Sequence, residues 1–163
     1  MRVVLTGAGH IGQTIASLLS NCGDYQVKVV DRSADAVAKL AHLPIKTAQV
    51  DTTDAAALRA ELKGFDAVIN ALPYHLAIMA ATQALEAGCH YFDLTEDVTA
   101  TRAIMQMADG AKTAFMPQCG LAPGFIGIVA HHLSKKFTQL REVQMRVGAL
   151  PAFPTNSLKY NLT

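Results

Sequence analysis

Short apolar runs alternate with amphipathic stretches along most of this chain, and that alternation restricts the possible folds more than any other feature. "RVVLTG" (2–7) is a compact run with β-branched residues that closes on a glycine. "HIGQTIASLLSN" (10–21) sets Ile11, Ile15, Leu18 and Leu19 at helical spacing, with Asn21 and Gly23 as a stop. The pair then recurs: "YQVKVVD" (25–31) before "SADAVAKLAHL" (33–43), "IKTAQVD" (45–51) before "TDAAALRAELKG" (53–64), and "DAVINAL" (66–72) before "HLAIMAATQALEAG" (75–88). "HYFDLT" (90–95) precedes "EDVTATRAIMQMADGA" (96–111), and "TAFMPQCG" (113–120) precedes "GFIGIVAHHLSKKF" (124–137). Parallel strands joined by right-handed helical crossovers bury such runs on both faces. The chain is therefore expected to be α/β, with a doubly wound parallel sheet of six strands.

The pattern changes near the end. "EVQMRVGAL" (142–150) sets Val143, Met145 and Val147 on one side and Glu142, Gln144 and Arg146 on the other, the alternation of a strand with one wet face. Two domains are expected: a nucleotide-binding domain over 1–137, and over 138–163 the opening of a second domain.

Composition removes several classes of function. With 51% hydrophobic and 17% charged residues the chain is globular rather than disordered. A net charge of +1 gives no basic footprint for nucleic acid. No apolar run approaches the ~18 residues of a membrane span, and the N-terminus lacks the pattern of a secretory signal. Cys22, Cys89 and Cys119 are widely spaced, odd in number and free of CxxC or zinc-like spacing. Neither a disulfide framework nor a metal site is expected, and the location is expected to be cytoplasmic.

The chemistry is carried first by "TGAGHIG". Gly7, Gly9 and Gly12 follow a strand and open a helix, and Asp31 closes the next strand about 20 residues on, the context in which a GxGxxG grips a dinucleotide. Gly7 permits the tight turn, Gly9 admits a pyrophosphate to the backbone, and Gly12 lets the helix pack close to the strand. The N–H groups around His10 and Ile11, at the positive end of the helix dipole, are expected to receive the phosphates. Asp31 is expected to accept from an adenosine ribose hydroxyl. Asp51 closes strand three and is expected to face the adenine. Asn70, Ala71, Leu72 and Pro73 close strand four, and the backbone there, with Ala71, Leu72 and Pro73 as the binding residues, is expected to pass the nicotinamide-side ribose. Asp31 sets a carboxylate against any 2′-phosphate, whereas Arg32 offers that phosphate a cation. The repulsion is expected to win, making NAD the preferred cofactor and NADP the poorer one.

With "GAGHIG", "VVDR", "VDTTD", "VINALPYHL", "YFDLTED" and "CGLAPGF" in this order, the chain resembles the saccharopine dehydrogenase-like reductase family, whose members include lysine 6-dehydrogenase and carboxynorspermidine dehydrogenase. The resemblance covers essentially the whole chain. It implies a Rossmann domain followed by a mixed α/β domain that completes the active site and makes homodimer contacts. It also implies NAD(P)-dependent chemistry at a carbon–nitrogen bond of a small amino-acid-like substrate. Several relatives carry an acidic residue before the Pro-Gly of "GLAPG", where this chain has Ala122.

Chemistry at a C–N bond needs a group that exchanges protons with the amine or with water. His75, just past strand four at the expected nicotinamide side, and Tyr74 beside it are the first candidates. Asp93 and Glu96, flanking strand five, are the second, although a carboxylate there could equally cap the following helix. Cys119 reads as a small neighbour of the cofactor rather than a nucleophile. The competing function is a regulatory module that senses NAD without turning it over. The chain beyond strand six separates the two, because an enzyme needs a substrate domain there.

Overall fold

The computed structural model describes residues 1–146. Met1–Gly120 is one compact unit, and the chain from Leu121 belongs to a second. This division falls ahead of the 137/138 boundary that periodicity suggests.

In the first unit six strands, β1 (Arg2–Thr6), β2 (Gln26–Asp31), β3 (Lys46–Gln49), β4 (Ala67–Asn70), β5 (His90–Asp93) and β6 (Phe115–Met116), form one sheet. Every pairing is parallel, in the order β3-β2-β1-β4-β5-β6. The direction of winding reverses between β1 and β4, and the carboxyl ends of those two strands are where a crevice must open.

Five helices cover the sheet: α1 (His10–Cys22), α2 (Ala34–Ala38), α3 (Ala55–Leu62), α4 (Ala77–Ala87) and α5 (Val98–Ala108). Adjacent residues of β1 show how the core divides. Val4 packs with Leu58 and Leu62 of α3, Ala80 and Ala84 of α4, and Ile104 of α5. Leu5 packs on the other side with Ala16 of α1, Val29 of β2 and Leu40. Both faces are dry, which is why β1 reads as an unbroken apolar run rather than an alternating one. At the opposite end of the sheet from the crevice, Arg2 and Asp66 tie β1 to the approach of β4. The Arg2 N–H donates to Asp66 Oδ2 at 2.7 Å, and its guanidinium Nη2 donates to Oδ1 at 2.7 Å.

The expected six-strand parallel sheet is present, but several elements are shorter than their sequence patterns. The stripe over 33–43 becomes the short α2, capped by Ser33 Oγ accepting from Ala36 N, followed by tight turns at Leu40, Ala41 and Leu43. Leu40 is fully buried from those turns, so the apolar spacing is satisfied without a continuous helix. β6 keeps two residues of the expected eight-residue run. Pro117 has no N–H for the ladder, and Gln118 turns away with φ +65°. α5 begins at Val98 because Asp97, not Glu96, caps it, accepting from Ala100 N at 2.7 Å. The segment from 75 opens as a 3-10 turn, Tyr74–Leu76, before α4, which Gly88 ends at φ +69°.

The second unit contains α6 (Phe125–Ser134), and Phe125, Ile128 and Leu133 on it are exposed. Residues 142–146, the first part of the run expected as an alternating strand, form no strand. A strand needs a ladder partner, and among the described residues this segment has none. The remainder of that run, with Val147, lies outside the described residues.

Candidate functional site

The turn from β1 into α1 is built from glycines for separable reasons. Gly7 adopts φ +98°, and a Cβ there would stand 2.8 Å from the Ala71 carbonyl oxygen. A Cβ on Gly12 would overlap the carbonyl of Gly7. Gly9 is different: its φ of −68° suits any residue, and nothing lies within 4 Å of where its Cβ would be. The space beside Gly9 is free for a ligand. Gly9 is also the N-cap of α1, with no side-chain cap and no acidic residue in the first turn. The first helical bond runs from Gln13 N to Gly9 O at 2.9 Å. The N–H groups of His10, Ile11 and Gly12 therefore precede the helical ladder and point out of the helix end. A bare, positive helix end with room at its second glycine fits a pyrophosphate.

Asp31 leaves β2 directly against this turn. Its Oδ2 accepts from Ala8 N at 2.7 Å and its Oδ1 from Ser33 N at 2.8 Å. Two fixed donors set the plane of the carboxylate, and lone pairs remain on both oxygens. Beyond it, Asp51 Oδ1 accepts from the hydroxyl and the N–H of Thr53, at 2.6 and 3.0 Å. These bonds, with the charge of Arg32 adding to them, hold the Asp51 carboxyl below its usual range.

The opposite wall follows β4. Gly7 N bonds Val30 O and Ala71 N bonds Thr6 O, each at 2.8 Å, so the two loops leave the sheet side by side. A crevice of about 480 Å³ opens between them. It is lined by Gly7 and Gly9 on one side, by Ala71, Leu72, Pro73, His75 and Leu76 on the other, and by Asp31, Arg32, Thr52 and Thr53 at the end. A shallower recess of about 550 Å³, lined by Arg32, Ser33, Gln49, Asp51 and Thr53, shares Arg32 and Thr53 with the crevice.

Most residues expected to hold cofactor thus meet at one site. His10 and Ile11 bring backbone to it, and Asp51 lines the recess rather than the crevice. Of the four expected to do chemistry, His75 alone lines the crevice. Tyr74 is exposed and meets the His75 ring edge-on, with centroids 5.8 Å apart. Glu96 is exposed. Asp93 is buried, and its carboxylate accepts from Tyr91 OH at 2.8 Å, Thr95 N at 3.0 Å and Gln118 N at 3.2 Å. Burial, then the charge of Asp93, pushes the Tyr91 phenol up. Cys119 does not line the crevice; burial, then Asp93, pushes its thiol up. Thr52 and Thr53 line the crevice too, although neither is among the residues that the sequence pattern points to. The "VDTTD" string holds the signal for them, since it continues a strand end into a helix cap.

A doubly wound sheet with a glycine turn at its switch point, a bare helix end and an acid closing β2 defines a dinucleotide-binding domain of the Rossmann type. The chain belongs to the family described as the saccharopine dehydrogenase NADP binding domain, which matches residues 3–116. Among solved structures it is similar to a saccharopine dehydrogenase (L-Glu forming) from Saccharomyces cerevisiae, at 26% identity and a TM-score of 0.71 over 82% of this chain and 31% of that one. It is also similar to an NAD-binding protein from Listeria innocua, at 28% identity and a TM-score of 0.55 over 71% of this chain and 34% of that one. A biliverdin reductase from Synechocystis sp., solved with biliverdin and NADP+, shares the fold at 22% identity and a TM-score of 0.57, over 71% of this chain and 37% of that one. The chain spans about a third of the length of these proteins. Among the described residues no helix is long and apolar enough to cross a membrane.

Proposed function

We propose that this chain is the cofactor-binding half of an oxidoreductase that acts at a carbon–nitrogen bond of a small amino-acid-like substrate, with NAD as its preferred cofactor. The observation that carries the reading is the glycine turn locked to Asp31 through Ala8 N, in a chain of the saccharopine dehydrogenase family. The N–H groups of His10, Ile11 and Gly12 take the pyrophosphate, Asp31 accepts from the adenosine ribose, and Asp51 with Thr53 borders the adenine. Ala71, Leu72 and Pro73 form the wall along the second ribose. A bound nicotinamide supplies or accepts the hydride.

His75 is the proton-exchanging group in this proposal, because it combines an imidazole with a place on the crevice wall. Tyr74 buttresses its ring. Asp93 lies beneath the wall with its oxygens occupied, and Glu96 is left to solvent or to the rest of the protein. The preference for NAD follows from the fixed Asp31 carboxylate, which meets a 2′-phosphate as like charge. The proposal extends to a cytoplasmic homodimer whose second domain follows the nucleotide-binding unit.

NADH titration of this chain, followed by fluorescence, tests the binding half. Turnover of the complete protein against a panel of amino-acid semialdehydes and amines tests the chemistry. Tight NADH binding without turnover of any member points to an NAD-sensing module, and absence of NADH binding overturns the proposal.

A further inference from the structure

Beneath the crevice wall lies a polar chain that takes no direct part in the proposed grip on the cofactor. The strand register aligns Thr6, Asn70 and Asp93 at the carboxyl ends of β1, β4 and β5, and each is at most 2% exposed. Thr6 Oγ1 donates to Asn70 Oδ1 at 2.8 Å, and Leu72 N donates to the same oxygen at 3.3 Å. Asn70 Nδ2 donates to Tyr91 OH at 3.2 Å, and that hydroxyl donates to Asp93 Oδ2 at 2.8 Å. Asp93 Oδ1 takes Gln118 N at 3.2 Å.

The direction of this chain is fixed by chemistry. A carboxylate only accepts, so the one phenol proton goes to Asp93 in preference to the neutral Ala77 carbonyl at 3.1 Å. The phenol oxygen is then left to receive the Asn70 amide NH2. That contact turns the amide oxygen towards Thr6 and Leu72, the orientation that pins Leu72 in the wall. At the far end Asp93 holds Gln118, a non-glycine residue at φ +65° that needs such an anchor. The Tyr91 hydroxyl joins the two ends.

We infer that Asn70, Tyr91 and Asp93 act as one positioning unit, which sets the nicotinamide-side wall at Leu72 and the turn at Gln118 together. The inference rests on the proposed cofactor site for its functional meaning.

Tyr91→Phe is the decisive variant. The ring stays stacked on Phe115, with centroids 5.7 Å apart, and only the hydroxyl is lost. Ile104→Ala, in the core under α5, is the control for lost stability alone. In this chain Tyr91→Phe is expected to accelerate amide hydrogen exchange at Leu72 and Gln118 together, and to weaken NADH about tenfold, the scale of one buried hydrogen bond. Ile104→Ala is expected to lower the melting temperature while the folded protein keeps its NADH affinity. Unchanged NADH affinity in folded Tyr91→Phe, or faster exchange at one end only, overturns the inference. If Tyr91→Phe does not fold, Thr6→Val removes the donor at the other end; it must weaken NADH and expose the Leu72 amide, and failure to do so is equally decisive. A wild-type chain that binds no NADH defeats the cofactor reading, while the exchange measurement still decides whether the unit holds its two ends.

Discussion

The Asp31 carboxylate receives the backbone N–H of Ala8 at 2.7 Å, so the acid that closes β2 and the glycine turn that follows β1 are one rigid piece. In the proposed binding mode this fixes the oxygen that accepts from a ribose hydroxyl relative to the helix end that takes the pyrophosphate. Replacing Asp31 with Ser shortens the side chain and removes its charge, releasing the turn and deleting the ribose acceptor. NAD affinity is expected to fall at least about tenfold, with NADP affinity unchanged or improved because the like-charge penalty is gone. Isothermal titration of both cofactors checks this, and a wild-type chain that binds NADP as tightly as NAD overturns the role given to Asp31.

Gly9 and Gly12 separate binding from folding. Gly9 has an ordinary φ and empty space where its Cβ would stand, so Gly9→Ala is expected to leave stability within about 0.5 kcal/mol. The new methyl fills the space given to the pyrophosphate, and NADH binding is expected to drop sharply. Gly12→Ala drives a Cβ into the Gly7 carbonyl, and overpacking of this kind costs ~1–3 kcal/mol. Denaturant melts beside NADH titrations decide it. Retained NADH binding by Gly9→Ala would mean that no phosphate occupies that space.

Acid stability has an identifiable contributor. The Arg2 guanidinium, and then the Arg2 N–H, hold the Asp66 carboxyl down to about 2 from an ordinary 3.8. Its folded-state pKa is depressed, so its contribution is complete above about pH 4 and is lost as pH falls through about 2. Both partners are partly exposed, which keeps the effect small and salt-sensitive. Asp66→Asn is expected to flatten the decline in urea midpoint between about pH 4 and 2. Parallel declines in the two proteins would show that the pair does not contribute.

The features legible in the sequence are those the backbone demands locally. Gly7 and Gly12 are legible because each answers a steric requirement within a few residues, and Asp31 because it ends an apolar run at a fixed distance from them. The length of α2 is not legible: Leu40 reaches the core through turns, and the apolar spacing is the same either way. The sequence pattern directs the cap of α5 to the neighbourhood of Glu96, whereas it belongs to Asp97. Asn70, Tyr91 and Asp93 are visible as residues at or near strand ends but not as a chain. Their bonds join β1, β4 and β5 and depend on a register that no local pattern states.

His75 carries the last prediction. It follows β4, whose neighbour across the switch point is β1, and it alone of the four chemical candidates lines the crevice. The proposed binding mode sets its loop over the reactive end of the cofactor. Tyr74 lies edge-on to it at an interplanar angle of 87°. In the complete protein, His75→Ala is expected to lower kcat/KM by about 100-fold or more, the lower end of what a positioned proton-exchanging group supplies. Tyr74→Phe keeps the ring and its edge contact and loses only the hydroxyl. An effect below about threefold assigns Tyr74 to support, and a larger one brings its hydroxyl into the chemistry. NADH affinity should stay within about threefold in both variants, which separates a proton role from a binding role. If kcat/KM also stays within about threefold in both, less than ~0.7 kcal/mol of transition-state stabilisation is involved. The proton-exchanging group must then come from elsewhere in the protein.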